Sequence, residues 1–430
     1  FFQAEDGIRD VERSRGLGDV YKRQTGLGLV IGLSLGHGIK HFGQGALTVI
    51  GPMLKTSLAL SDVAYGAIFS ALNVSSGLSN IPAGILSDMY RKKIAWLLAI
   101  SMFTIALGYF LLGVSNIYMV IILSVILIGF GTSFWHAPAF GTLAARYPNK
   151  KGFVLSMHLT GAQIGNTIGP PVIGGLISGI TIGSIIKMSG FGWENVSLFL
   201  IIPMILTGLL VLMLFKSAGS ESSSNWSFQE YKFRTKTLVK DKVIIGLILL
   251  GAMRASIHTS FQLFLAVYLK EELNYSALVI GWHIALITAA GIISTPIMGI
   301  LSDKFGRKPV IQISMTLMAI YLFLFLIFDE GLGLIILITL LGMFFFSVMP
   351  IVTAATMDRV PKGSEGSGTA LNFIGMSLIG FMAPIFAGFI YSRYDFSGIS
   401  IMSGIIAISG IILCSLLPVS YTHLTLPTKA

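Results

Sequence analysis

Long apolar stretches separated by short polar breaks make up most of the chain. A membrane-spanning helix needs about 20 apolar residues, and twelve stretches approach or exceed that length. Their approximate bounds are 26–53, 63–86, 94–113, 118–145, 152–181, 195–215, 243–269, 276–300, 309–328, 331–357, 364–391 and 397–418. The pattern predicts an all-α polytopic membrane protein whose helices are numbered here as spans one to twelve.

One long polar segment, residues 216–242, interrupts this pattern between spans six and seven. It predicts a cytoplasmic linker between two six-helix bundles at residues 25–215 and 243–418. The bundles repeat each other, because Gly84-Ile-Leu-Ser-Asp88 recurs as Gly299-Ile-Leu-Ser-Asp303 after 215 residues. We therefore expect two parallel halves that enter the membrane from the same side.

Lys and Arg are distributed unevenly between the two sets of loops. With the N-terminus placed inside, the inner loops and linker hold seventeen basic residues and the outer loops hold four. Because basic loops remain on the cytoplasmic side, both termini are expected there, in the inner (plasma) membrane. The formal net charge of +10 then follows from topology and anionic lipid, so no nucleic-acid partner is expected.

Composition narrows the class further. Charged residues make up 11% and hydrophobic residues 54% of the 430 residues, whereas soluble domains carry about 25% charged residues. This excludes a soluble or disordered protein. The single cysteine, Cys414, excludes a disulfide framework and a cysteine-based metal centre. The sequence shows no phosphate-binding loop and no nucleophile with a base, so neither a cofactor nor an enzyme is expected.

The two ends of the chain differ from the rest. Residues 1–24 carry ten charges and then give way at once to apolar sequence, while residues 419–430 form a polar tail. Neither end has the pattern of a signal peptide. We expect the first tract to be non-native or disordered and the tail to be non-native. A solvated native tail is the alternative, and no function is assigned to either.

The loops after spans two and eight carry a repeated motif. Its residues are Gly84, Asp88 and Arg91 in the first copy, and Gly299, Asp303, Gly306 and Arg307 in the second. The first copy departs from the second, because Met89 replaces a basic residue and Arg91 replaces a glycine. With these two loops the chain resembles the major facilitator superfamily across about residues 25–418. The resemblance implies a twelve-helix monomer that transports solutes by alternating access.

The resemblance also implies a role for the two loop acids as a conformational latch. Asp88 is expected to dock on the start of span eleven and Asp303 on the start of span five, since helix N-termini attract negative charge. These contacts would hold the halves together inside and favour the outward-open state. Gly84 and Gly299 would allow the helix ends to approach closely. The alternative is that both acids are solvated loop residues.

Span five carries a second motif, rich in small residues. It consists of Gly165, Gly169, Pro170, Gly174 and Gly175. The motif is similar to the antiporter motif of drug–proton exchangers in the superfamily if Pro171 is treated as an addition. Tight but generic helix packing explains the same residues equally well.

Span four lacks a feature of many proton-driven exporters. The position of their arginine, four residues before a Gly-x-Gly step, is Val125. Gly36-His37 on span one and Trp135-His136 on span four are similar to the branch near fosmidomycin-resistance exporters.

Two basic side chains lie in the middle of spans. Lys40 on span one and Arg254 on span seven are 214 residues apart, as are Gln44 and His258. No Asp or Glu lies near the predicted midplane, so a solute anion would satisfy both cations. Organic-anion carriers of the superfamily are similar in using basic residues on spans one and seven with a histidine on span five, here His158. Snorkelling, or water in a wide cavity, is the alternative.

Six of the seven histidines fall within spans: His37, His41, His136, His158, His258 and His283. Without midplane acids, they are the side chains best suited to titrate near neutral pH, and His136, His158 and His258 are the candidates for proton coupling. His37 and His41 lie one turn apart, like a metal-binding pair. Because Lys40 opposes a cation beside them and no third ligand is apparent, no metal is expected.

Taken together, these features predict a secondary transporter of a small anionic organic solute, driven by a proton or solute gradient. The predicted solute site consists of Lys40, Arg254, His37, His41, Gln44, His158, His258 and Gln262. A proton-coupled multidrug or antibiotic exporter is the alternative. A membrane enzyme and a non-transporting sensor are less favoured.

Overall fold

A computed structural model describes the backbone of residues 2–147, 150–182, 186–215, 238, 240–360, 371, 373–377 and 380–418. The side chains of these residues are described as well, except those of 2–27, 88, 151–152 and 180–187. Most of the predicted linker, the tail 419–430 and the Asp88 side chain therefore lie outside the described residues. The backbone of residues 2–24 is helical, and the non-native origin of this tract stays a prediction.

The first half of the molecule is built from eight helices and a short hairpin. The elements are α1 (Phe2–Ser57), α2 (Asp62–Met89), α3 (Ile94–Val114), α4 (Tyr118–Phe134), α5 (His136–Arg146), α6 (Lys151–Ser178), β1 (Ile180–Ile182), β2 (Ile186–Met188), α7 (Trp193–Phe199) and α8 (Ile201–Leu214). The two strands pair antiparallel, with Ile180 opposite Met188. This hairpin follows span five and is a small addition to the predicted all-α architecture.

The second half contains long helices. They are α9 (Lys242–Glu271), α10 (Ala277–Phe305), α11 (Arg307–Leu324), α12 (Gly331–Met357) and α13 (Ala383–Leu416). Helix α13 joins spans eleven and twelve across a non-helical residue, Asp395, at φ 49° and ψ −155°. With α4–α5 and α7–α8 each counted as one span, the described helices account for the twelve predicted spans.

Prolines explain why spans four and six are each broken in two. Pro138 and Pro203 both lie in the first turn of the second helix of their span. A proline ring clashes with the carbonyl group four residues earlier. Those earlier residues are Phe134 and Phe199, where α4 and α7 end. The break in span four places His136 at the start of α5.

Seven helical stretches in the described part of the chain are long and apolar enough to cross a membrane, judged by length and composition. They correspond to spans three, four, six, seven, eight and ten and to the joined pair eleven and twelve. Many large apolar side chains on these helices face outwards, among them Trp96, Phe110 and Ile300. Such a surface suits lipid and would be unfavourable in water.

Each half has its own apolar core. One core is formed almost entirely by residues of spans one to six, and the other by residues of spans seven to twelve. Only two buried members cross over in these cores: Tyr65 packs in the second core and Ala277 in the first. The halves are therefore separately packed bodies that touch along a few helices.

Spans two and eleven, and spans five and eight, form the main contacts between the halves. Gly66 packs on the backbone of Pro384, and Gly281 packs on the backbone of Pro170. The Thr167 hydroxyl donates to Thr288 over 3.1 Å across the same interface. The described contacts between halves run from the middle of the spans to the end opposite Arg91 and Arg307. We call the end with those two arginines the basic end, and the other end the far end.

Candidate functional site

One face of span one carries the polar residues that begin the site. Lys40, His41 and Gln44 follow His37 by three, four and seven residues, so the helix places all four on one broad face. This face is directed into the first half, because Lys40 is only 1% exposed and His37 is equally buried. The side-chain oxygen of Gln44 is buried and lacks a hydrogen-bond partner where the structure describes its surroundings.

Lys40 is held by two hydrogen bonds from its ammonium group to span four. Nζ donates to the carbonyl oxygen of Thr132 over 2.9 Å and to Nε2 of His136 over 2.8 Å. Both acceptors lie at or just before the break that Pro138 produces. Lys40 therefore obtains acceptors within its own half, although neither is an acid, because the opened helix presents a carbonyl oxygen and an imidazole to the buried ammonium group.

Four imidazole rings surround this lysine, and we call His37, His41, His136 and His158 the histidine cluster. The ring of His37 stacks on that of His158, with centroids 4.0 Å apart and planes 10° from parallel. Nδ1 of His37 donates to the carbonyl oxygen of His158 over 2.8 Å. The ring of His41 lies 4.7 Å from that of His37 and 6.3 Å from that of His136.

The close approach of spans one and five makes this stacking possible. A Cβ atom on Gly165 would collide with the carbonyl oxygen of Gly38, and one on Gly169 with that of Phe42. Without side chains at these positions, the two backbones touch and the His37 ring reaches His158. Further along the same helix, Gly174 packs against Ala277 of span eight, and Pro170 against Gly281. Gly175 is buried.

His158 occupies a different place from the one predicted for it. It is 0% exposed and lies behind His37, with Phe140 at its other side, 5.3 Å from ring to ring. Both of its ring nitrogens lack hydrogen-bond partners among the described residues. In this conformation His158 supports the ring of His37 and does not face an open cavity.

Arg254 in the second half has very different surroundings. It is 5% exposed, and its Nε lacks a hydrogen-bond partner among the described residues. The guanidinium carbon lies 6.0 Å from the ring centroid of Phe346, which is at the limit of a cation–π contact. Arg254 is thus a buried cation that lies beside an aromatic ring and has no hydrogen-bond acceptor among the described residues.

His258 lies one turn beyond Arg254 on the same helix. Its ring contacts Phe345 and Phe346 edge-on at 5.2 and 5.1 Å, and the described residues provide no hydrogen-bond partner for its Nε2. Gln262, one further turn along, is partly exposed. The second half therefore provides an apolar wall with a few unsatisfied polar groups, a combination typical of pockets that bind small molecules. The described hydrogen bonds and ring contacts do not join Lys40 to Arg254.

The second copy of the predicted latch makes no contact with the first half among the described residues. Arg307 pairs with Asp303, Asp358 (3.3 Å) and the Ser302 hydroxyl (2.7 Å), all within the second half. Asp303 has a side-chain exposure of 67%, and the described residues show no contact between it and span five. Gly306, at φ 92°, forms the turn before α11 with a backbone that favours glycine. Arg91 lies in a 3₁₀ turn, Arg91–Lys93.

The latch glycines also differ from expectation. A Cβ atom on Gly84 or Gly299 would meet nothing within 4 Å, so neither glycine is required for close packing in this state. The physical reason is that the described contacts between the halves are made away from the basic end. A latch at the basic end belongs to the opposite conformation and stays a prediction.

An ion-pair cluster at the far end was not anticipated from the sequence. Lys55 of span one pairs with Glu271 of span seven at 2.7 Å and with Asp62 of span two at 3.0 Å. The next residue, Glu272, accepts a hydrogen bond from the Tyr391 hydroxyl over 2.8 Å. We call these five residues the gate cluster. Because Lys55 and Glu271 belong to different halves, the gate cluster ties the halves together.

Glu272 shows how the gate cluster perturbs an acid outside the spans. Partial burial raises the pKa of its carboxyl group, and the negative charges of Asp395, Glu271 and Asp329 act in the same direction. The hydrogen bond from Tyr391 opposes the shift. The only signal for this cluster in the sequence was the position of Lys55 and the acids at span ends, and pairing between halves could not be read from it.

Several known proteins are similar to this chain in sequence. A family model described as the Major Facilitator Superfamily matches residues 33–268 and 247–430. The chain is 23% identical over 296 residues to the fosmidomycin resistance protein of Escherichia coli K12, covering 67% of this chain and 68% of that protein. It is 24% identical over 412 residues to the hexuronate transporter of Bacillus subtilis 168, covering 89% and 92%.

A solved structure shares the architecture. The bacterial homologue of the human lysosomal transporter Spinster, in an inward-facing and occupied conformation, superposes with a TM-score of 0.74 at 15% identity. The superposition covers 90% of this chain and 96% of that one. The predicted all-α fold, with twelve spans in two six-helix halves, is thereby confirmed.

Proposed function

The chain belongs to the Major Facilitator Superfamily, and from this we propose that it is a secondary transporter of a small anionic organic solute. Transport as such follows from the family, and the sign of the solute's charge is the new claim. The observation that carries it is Arg254, a buried arginine whose Nε finds no acceptor among the described residues.

Leaving the buried Nε–H group of Arg254 without an acceptor is costly, because this group has lost water and gained no hydrogen bond in return. An anionic solute removes this cost when it binds. Arginine is well suited to that task, since its planar fork donates two parallel hydrogen bonds to a carboxylate. The edges of Phe345 and Phe346 around neighbouring His258 would cover the apolar side of the solute and keep water away.

Lys40 would contribute less than Arg254 to the binding of the anion. Its ammonium group is already engaged by Thr132 and His136, so it contributes a positive field more than a direct contact. The predicted midplane contains no Asp or Glu, and a cationic solute would therefore meet two positive charges and no acid. This argues against a cationic drug as the solute.

The polar groups around the two cations suit a solute that carries hydroxyl groups. Gln44 has an unsatisfied side-chain oxygen, and His41 and Gln262 are both partly exposed. The hexuronate transporter is a relative over most of both chains, and its name describes a hydroxylated organic acid. We therefore take a sugar acid as the first solute to test.

The gate cluster also bears on how the transporter would change conformation. Lys55 and Glu271 close the far end in this state, and the latch around Asp88 and Asp303 would close the basic end in the other. Alternating access would exchange these two closures around the central site. We place the basic end in the cytoplasm, so the present conformation is inward-facing, and we expect the transporter to work as a monomer.

Coupling to protons would require a titratable group near the solute. Of the three candidate histidines, His158 is stacked behind His37 and His136 is bonded to Lys40. His258 stands one turn from Arg254 with an unsatisfied Nε2, and we favour it. If so, solute-driven pH changes vanish in His258→Gln while solute binding persists; undiminished pH changes in that variant would exclude His258.

Counterflow in proteoliposomes tests the proposed function. Vesicles preloaded with unlabelled glucuronate should accelerate uptake of labelled glucuronate, because a carrier exchanges solute without net energy input. Protein-free vesicles and preloading with glucose are the controls. Acceleration by organic cations but not by any organic acid would contradict the proposal.

The proposed orientation has its own test. Asn116 lies in the loop between spans three and four at the far end, Lys92 lies at the basic end, and both are exposed. The native Cys414 is buried, so single cysteines can be placed at these positions. An impermeant thiol reagent added to intact cells should label Asn116→Cys and spare Lys92→Cys. The reverse result would invert the topology.

An antibiotic exporter is the second candidate, and the match to a fosmidomycin resistance protein favours it. Export and import can use the same anion site, so this candidate differs mainly in direction and coupling. A pH gradient imposed on inverted vesicles should drive accumulation of an anionic antibiotic if the protein is a proton antiporter. Sugar-acid counterflow without such accumulation would favour the first candidate.

A further inference from the structure

Three histidines of the histidine cluster approach one another from two spans. His37 and His41 come from span one and His136 from span four, and their candidate ligand nitrogens all lie within 4.8 Å of one another. In the sequence, only the pair on span one is apparent as candidate metal ligands. The break at Pro138 supplies the third imidazole, which could not be placed from spacing alone.

Two of the three rings already make the hydrogen bond that is typical of metal-binding histidines. Such a histidine usually donates its other ring N–H to an oxygen, which fixes the tautomer and frees the remaining nitrogen for the metal. Nδ1 of His37 donates to the His158 carbonyl oxygen (2.8 Å), and Nδ1 of His41 faces the Asn166 side-chain oxygen (3.3 Å). In both rings the lone pair is therefore on Nε2.

The free nitrogen of His37 is the second observation that points to a ligand. Its Nε2 is buried and has no hydrogen-bond partner in the described part of the chain, although buried polar atoms are nearly always satisfied. A water molecule or an ion could fill this need. An ion is favoured because two further imidazole nitrogens are close by and imidazole is a preferred ligand of zinc, copper and nickel.

Lys40 argues against a metal ion among these histidines. The same residue also provides a specific test of the site. Its ammonium group donates to Nε2 of His136 over 2.8 Å, the lone pair that a metal ion would use. Lysine and metal would thus compete for the same nitrogen. After displacement, the ammonium group would keep its hydrogen bond to the Thr132 carbonyl oxygen.

We propose that His37, His41 and His136 bind one divalent metal ion of the zinc class. In a tetrahedral site with metal–nitrogen distances of about 2.1 Å, the ligand nitrogens are about 3.4 Å apart. The present separations of up to 4.8 Å close with side-chain movements of about 1 Å. Three protein ligands leave the fourth position open. The proposal concerns the first half alone and does not depend on the charge of the transported solute.

Metal binding can be measured on the full chain, purified in detergent without a polyhistidine tag. Cobalt(II) is the probe, because its visible absorption reports tetrahedral coordination by nitrogen, and displacement by Zn²⁺ gives the zinc affinity. We expect one Co²⁺ per chain. His37→Gln, His41→Gln and His136→Gln should each weaken binding at least about tenfold. His283→Gln, in span eight and outside the cluster, should leave it unchanged.

Lys40→Met provides the decisive variant, because it removes the competing ammonium group and keeps an unbranched side chain that is only one atom shorter. We expect it to bind Co²⁺ about tenfold more tightly than the wild type. This gain requires a folded site, so it decides the question even if a ligand variant does not fold. Equal binding by the wild type and all three ligand variants would indicate adventitious sites and overturn the proposal. Affinity in Lys40→Met at or below that of the wild type would overturn it as well.

Discussion

Lys40 and Arg254 occupy matching positions in the two halves, 214 residues apart, yet their surroundings differ. Lys40 is bonded to a carbonyl oxygen and an imidazole of its own half. Arg254 lies beside an aromatic ring, and its Nε is unsatisfied. The repeat therefore preserves the charge but not its partners. A two-fold arrangement of cations does not imply that both contact the solute equally.

The difference has a simple origin in span four. Pro138 breaks this helix one turn after Thr132, and His136 is left at the break. The ammonium group of Lys40 can then reach acceptors within its own half. Arg254 lies beside the Phe346 ring and has no acceptor among the described residues, so a bound anion could supply one. We expect the anion to interact chiefly with the second half.

Removing the charge at Arg254 should cause the largest loss of affinity for glucuronate. Breaking a buried ion pair costs about 3–5 kcal/mol, which corresponds to roughly a hundredfold or greater loss of affinity. Arg254→Gln should therefore bind glucuronate at least about a hundredfold more weakly, as measured by calorimetry. Arg254→Lys keeps the charge but not the fork and should recover only part of the affinity.

A matched control is available at the far end of the second half. Arg393 stacks on Phe389 at 3.7 Å and is exposed. Arg393→Gln makes the same chemical change outside the site and should leave glucuronate affinity within about twofold, since exposed charges interact weakly through water. Equal losses in the two variants would mean that Arg254 acts only through net charge.

Removing the charge at Lys40 should have a smaller effect. Lys40→Met deletes a cation that is already bonded inside the protein, so the anion loses field and not a direct partner. We expect a loss of affinity of about tenfold or less. The same calorimetric titration measures it. A loss as large as that of Arg254→Gln would show that both cations contact the solute and would end the distinction between the halves.

Removing a hydrogen-bond acceptor of Lys40 should have the smallest effect on glucuronate affinity, and this effect should be a gain and not a loss. His136→Leu removes one of its two acceptors and leaves the ammonium group more available to the solute. Glucuronate affinity should rise by about threefold, with a lower melting temperature because a buried hydrogen bond is lost. The companion Lys40→Met/His136→Leu double variant should lose this gain. If the gain persists there, it does not come from Lys40.

Much of the fold could be predicted from the sequence, because long apolar stretches and the repeat of Gly84–Asp88 at Gly299–Asp303 are local signals. The positions of Lys40 and Arg254 within their spans followed from the same pattern. Membership of the superfamily rested on the two loop motifs and is confirmed by the family model. These features depend on neighbouring residues and on spacing, which a sequence displays directly.

The partners of the site residues could not be predicted in this way. The bond from Lys40 to His136 joins residues 96 positions apart, and the ion pair of Lys55 with Glu271 joins residues 216 apart. Such contacts depend on how helices cross, on the close approach at Gly165, and on which end of the molecule is closed. The sequence contained the chemical groups but not the conformational state in which they meet.

The central claim is that the solute's negative charge is recognised by Arg254 and not equally by Lys40. The most direct test compares glucuronate with glucose, which has the same ring and ring hydroxyl groups but a neutral CH₂OH group in place of the carboxylate. The ratio of their affinities should be large in the wild type, nearly as large in Lys40→Met, and close to one in Arg254→Gln. A ratio that stays large in Arg254→Gln, or that falls equally in both variants, would contradict the account.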